Sequence, residues 1–129
     1  MATTNAVIGT DHYRTEIRTA TNLLIADEPL AAGGEDLGFS PEELLAASLS
    51  ACTCATLRMY ADRKGWTELT GVTVDITFAR QQDMSSIVRN ITLQGPLSEE
   101  QRDRLLVIAN KCPIHQVLTH PVIIETSLV

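Results

Sequence analysis

From Leu44 to Leu57 the chain carries no charge, and its apolar and small side chains fall on every side of a helix rather than on one face. The flanks mark both ends of that helix. Ser40 suits the N-cap, Pro41 the first helical position, and Glu43 the third position of a capping box. Arg63 and Lys64 oppose the negative end of the dipole, and Gly65 can take the left-handed stop. The pattern predicts one helix over residues 41–64, a rod of about 36 Å. Its uncharged run includes Ser48, Ser50, Thr53 and Thr56 and is shorter than the roughly 18 apolar residues of a membrane span, so it is expected to be buried in protein.

Elsewhere the period is two. Short strands are predicted at residues 5–9, 15–19 and 23–27, before a loop at 27–38 punctuated by Pro29 and three glycines. That loop carries Asp27, Glu28, Glu35 and Asp36 and no base, which reads as a solvated loop or as a lid at the head of the helix. Val72, Val74, Ile76 and Phe78 alternate with polar residues, and Ile87 to Gln94 forms a second strand, so the two make an antiparallel hairpin. Ser98 and Gln101 open a second helix with another capping box. On it Leu105, Ile108, Ala109 and Cys112 share an inward face. Pro113 disfavours helix at Cys112, and residues 113–118 restart as a short turn. Residues 121–128 read as a last strand. Hairpins separated by helices indicate an α+β fold, with antiparallel sheets packed around a long buried central helix. Ala46, Ala47, Ala51 and Ala55 would let a second helix approach closely, so a homodimer is expected.

The 129 residues form one expected domain, 1–129, with 44% hydrophobic and 20% charged residues. A net charge of −6 argues against nucleic acid or an anionic membrane as partner. Residues 1–10 lack the pattern of a signal peptide, and three cysteines suit a reducing compartment, so a cytoplasmic location is expected.

Cys52 and Cys54 lie about 200° apart around the first helix, so they face opposite sides, and helix geometry alone does not choose between them. Cys112 falls near the cap of the short turn, where backbone N–H groups would favour a thiolate. The run Pro41-Glu-Glu-Leu-Leu-Ala-Ala-Ser-Leu-Ser-Ala-Cys-Thr, with Leu57-Arg-Met-Tyr-Ala and Lys111-Cys-Pro-Ile-His, resembles the OsmC/Ohr family of thiol peroxidases, in its general OsmC-like branch. The resemblance covers roughly residues 23–128. It implies an intertwined cytoplasmic homodimer with active sites at the subunit interface and no cofactor. It implies Cys52 as peroxidatic cysteine, Cys112 as resolving cysteine and Glu42 as the carboxylate that orients an activating arginine, with a hydroperoxide as substrate and an external dithiol as reductant. Cys54 has no counterpart in the motif and is expected to be a small core residue.

Cys52 sits mid-helix, where the dipole helps little, so its thiolate needs a nearby cation. Arg14 and Arg18 precede the helix without the family's glycine-rich motif, and Arg58 lies about 120° around the helix from Cys52. Leu45, Leu49 and Met59 are expected to wall Cys52 and to favour an organic hydroperoxide. Two rivals stand beside this reading. Cys52, Cys112, His115 and Glu42 have ligand-competent chemistry for a metal but no standard zinc spacing, and the same fold could serve as a non-catalytic small-molecule or thiol carrier. His115 reads as a local hydrogen-bond partner of Cys112 or as an exposed side chain; His12 and His120 offer nothing specific.

Overall fold

A computed structural model describes residues 1–129. The order is β1 (Asn5–Val7), β2 (Thr15–Arg18), β3 (Leu23–Ala26), a single 3-10 turn (Leu30–Ala32), α1 (Pro41–Lys64), β4 (Gly71–Ala79), β5 (Ser86–Gln94), α2 (Glu99–Ala109) and α3 (Pro113–Leu118). The fold is α+β, and the strands of both sheets pair antiparallel. The chain divides into two compact units, Met1–Leu45 and Ala46–Val129.

In the first unit β1, β2 and β3 form a meander, with Ile17 opposite both Ala6 and Leu24. The acidic loop that follows is not simply solvated. Asp27 is only 2% exposed and accepts N–H groups from Tyr13 (3.0 Å), Glu28 (2.8 Å), Glu35 (3.2 Å) and Leu37 (3.2 Å). Burial pushes its carboxyl upward, but the four donors outweigh that and hold it below the usual range. The expected capping box opens α1: Ser40 N–H donates to Glu43 Oε1 at 2.8 Å, and Glu43 N–H donates to Ser40 Oγ at 3.2 Å.

In the second unit α1 buries a stripe of Leu49, Thr53, Leu57, Tyr60 and Ala61, recurring at helical spacing. Leu57, Tyr60 and Ala61 meet Leu69 and the α2 residues Leu105, Ile108 and Ala109 in one core, packed by Val72 from β4 and Ile91 and Leu93 from β5. Gly65 ends the helix at φ +68°, where a side chain would be strained. The hairpin keeps its register from Gly71↔Gln94 to Ala79↔Ser86, as its alternation requires. Ser98 and Gln101 complete the second capping box.

A single chain does not cover α1 on every side, as its all-round apolar surface leads one to expect: it is buried along that stripe, and Ala51, Ala55 and Met59, four residues apart on another face, are exposed. By length and composition the helix reaches the threshold for crossing a membrane, and 28% of the relevant window is buried in protein. One expectation needs correction: residues 121–129 form no strand. Their apolar content reads as a strand, but a strand needs an edge to pair with, and this segment pairs with none; Ile123 is 89% exposed.

Candidate active site

Leu49, Thr53 and Leu57 anchor α1 in the core, and Cys52, one residue before Thr53, is held half-buried at the rim of that stripe. α2 carries Leu105, Ile108 and Ala109 inward and then stops. Cys112 continues the same face at 0% exposure. Its backbone turns extended (φ −56°, ψ 134°) because the proline ring at 113 crowds the helical alternative. Cys112 thereby becomes the N-cap residue of α3, and the N–H groups of Ile114 and His115 are left to face sulfur.

Cys52 and Cys112 are both free thiols, near enough that each shifts the other's titration. Burial pushes the Cys52 thiol upward. The S–H of Cys112, the N–H of Ile114, the hydroxyl of Thr56 (Sγ to Oγ1 4.0 Å) and the charge of Arg89 together pull it below its usual value. Cys112 moves the other way. Burial and its donation to Cys52 raise it, outweighing the N–H groups of His115 and Ile114. The cap N–H groups do pull Cys112 down as expected, but burial and its donation to Cys52 outweigh them, so of the two it is Cys52 that is drawn toward the thiolate.

Arg89 is the residue that the sequence reading passed over. It lies on β5 opposite Ile76, in the inward phase shared by Ile87, Ile91 and Leu93. Its Nη1 donates to Thr53 Oγ1 at 3.1 Å and its Nη2 to Asn110 Oδ1 at 2.8 Å, with His115 Nδ1 at 3.2 Å. An arginine only donates, so His115 Nδ1 accepts and the ring carries its proton on Nε2. Burial and then the neighbouring Arg89 hold His115 below its ordinary pKa. The arginines considered from sequence are engaged elsewhere: Arg14 and Arg18 with Glu16 (3.5 and 3.2 Å), Arg58 with Asp62 (3.1 Å) and the carbonyl of Leu69 (2.7 Å).

The other expected site residues are placed as follows. Glu42 is exposed in the first turn of α1, in the first compact unit. Cys54 is half-buried rather than a core residue. Leu49 is buried, but Met59 is 63% exposed, and Leu45 is exposed too, so one chain does not supply the expected apolar walls. No group of three or more His, Cys, Asp or Glu side chains converges as a metal site would require.

No curated protein matches the chain by sequence. Among solved structures it is similar to a Psychrobacter arcticus protein named for osmotic stress induction and a detoxification response (26% identity, TM-score 0.79, covering 94% of this chain and 90% of that one). It is also similar to an OsmC-like protein of Mycoplasma pneumoniae (20%, TM-score 0.78, covering 92% and 87%). An organic hydroperoxide resistance protein of Legionella pneumophila shares the fold at 20% identity and TM-score 0.62, covering 92% and 88%. The profile of the OsmC-like protein family matches residues 33–127. With its antiparallel sheets, long central helix and paired cysteines, the chain belongs to the OsmC-like protein family.

Proposed function

We propose that this chain is a thiol-dependent peroxidase that reduces organic hydroperoxides in defence against oxidative stress. The observation that carries the reading is the proximity of two thiols with opposite tendencies, Cys52 toward thiolate and Cys112 toward thiol. Several proteins similar in structure are named for organic hydroperoxide resistance, which supports a peroxide-related role.

The Cys52 thiolate attacks the outer peroxide oxygen and the O–O bond breaks. The leaving alkoxide takes a proton and departs as alcohol, and Cys52 becomes a sulfenic acid. The Cys112 sulfur then attacks the Cys52 sulfur, hydroxide leaves, and it takes the Cys112 proton to form water. A disulfide remains. An external dithiol reopens it by exchange and is itself oxidised. Glu42 takes the orienting role that the resemblance implies; Glu42→Gln should lower turnover and leave the fold intact.

The reading places the protein in the cytoplasm, as a homodimer whose second copy covers the apolar surface left open on α1. Peroxide treatment followed by intact mass and thiol counting is the deciding experiment. Cumene hydroperoxide should remove two thiols and two hydrogens per chain, and Cys52→Ser should abolish both losses. Thiols that survive treatment unchanged would end the proposal.

A further inference from the structure

We propose that Arg89 is a resident cation of this site, distinct from any arginine that Glu42 orients: a positioning residue on β5 that sets its charge beside the cysteines while tying together the two segments that carry them. The assignment rests on Cys52 being the reacting sulfur of the reading above.

Three observations carry it. First, Arg89 occupies an inward position of an otherwise apolar strand face, between Ile87 and Ile91. A guanidinium is costly to turn inward and is retained there only for a reason. Second, its partners are all uncharged: the Thr53 hydroxyl, the Asn110 amide oxygen and the His115 ring nitrogen. The hydroxyl of Thr53 donates its proton to the Leu49 carbonyl at 2.7 Å, so its oxygen is free to accept from the guanidinium. These neutral partners leave its charge in place, and that charge adds to the donors of Cys112, Ile114 and Thr56 that lower Cys52. Third, the fork spans both cysteine segments. Thr53 adjoins Cys52, and Asn110 and His115 bracket Cys112. One planar group with fixed donors can thus set the charge and hold the α2–α3 corner against α1.

An inward charge on a two-stranded hairpin could instead serve only to discourage edge pairing. Charge-specific measurements separate the two roles. The charged and titratable groups that act on Cys52 are Cys112 from the corner and Arg89 from β5, and His115 lies against Arg89. His115 is held below its ordinary value, so a profile taken from about pH 7 upward reports mainly sulfur.

In a Cys54→Ser background, the rate at which iodoacetamide alkylates Cys52 is followed by peptide mass across that range. Arg89→Gln is expected to move the midpoint upward and slow alkylation about threefold or more near pH 7. Arg89→Lys keeps the charge and loses the fork, and should recover most of the rate. A profile that Arg89→Gln leaves in place overturns the proposal. If that variant fails to fold, the unaltered site still answers. Anionic iodoacetate should gain on neutral iodoacetamide at Cys52, relative to free cysteine, and salt should erase the gain. A ratio equal to that of free cysteine overturns the proposal. The assay contains no peroxide. An enzyme without turnover that still shows the Arg89 dependence therefore removes the peroxidase reading and supports this one.

Discussion

Cys52 and Cys112 are the same side chain in two electrostatic settings. Cys52 receives donors, whereas Cys112 donates to it and lies wholly buried. On the proposed reading, a sulfenic acid on Cys52 has a thiol near at hand before a second peroxide arrives. Excess cumene hydroperoxide should therefore leave the wild-type protein as an intramolecular disulfide, whereas Cys112→Ser should gain one and then two oxygens on Cys52. Intact mass over time checks both. Two further residues each contribute to the pH dependence of stability. His115 has a depressed folded pKa, so the unfolded chain binds more protons below about pH 6.5, and stability is lost as pH falls through that depressed value. Asp27 is also depressed, so its contribution holds above the carboxylate range and disappears only in stronger acid. Urea midpoints measured against pH should show two separate declines. His115→Gln should remove the one at higher pH, and Asp27→Asn should shrink the one at lower pH, to which Glu43 also contributes.

At the scale of elements, what could be read from sequence follows local chemistry. Both capping boxes, the hairpin, the glycine stop of α1 and the inward face ending at Cys112 are written in residues a few positions apart. The caps can be tested directly: Ser98→Ala should cost about 1 kcal/mol in a urea titration, since the N–H of Gln101 loses its acceptor. Arg89 escaped because it belongs to no motif and lies 37 residues beyond Cys52, on a strand that no local rule joins to α1. The signal was present as a break in phase: Ile87, Ile91 and Leu93 claim the inward positions, and the residue between the first two is charged. Asp27 escaped for the opposite reason. Four acids in a loop look alike in sequence, and only the folded backbone selects the one that four N–H groups surround. Pairing of Cys52 with Cys112 could be expected from the resemblance alone. No local rule joins residues on different elements; their contact depends on the packing of α1 against α2.

For the molecule as a whole, the unresolved physical question is what covers its remaining apolar surface. Ala51, Ala55 and Met59 form a second stripe on α1, and Val122, Ile123 and Ile124 extend with no strand beside them. The strand expected at residues 121–128 failed within one chain because sequence alternation specifies a face and not a partner. A net charge of −6 opposes association only weakly at physiological salt, where charges farther apart than about 8 Å are screened. Burying such a stripe against its own copy would make unfolding a dissociation as well, so the thermal midpoint should rise with protein concentration. Ala55→Arg tests this cleanly. Ala55 is exposed in the single chain and lies outside the core of Leu57, Tyr60 and Leu105, so the charge should leave the folded chain undisturbed. It should nonetheless halve the mass measured by light scattering and abolish the concentration dependence. Peroxide turnover should fall with it, because the open walls around Cys52 would then stay open. An Ala55→Arg protein with the same mass as wild type and the same midpoint at every concentration would show that this stripe faces water, and the homodimer would have to be abandoned.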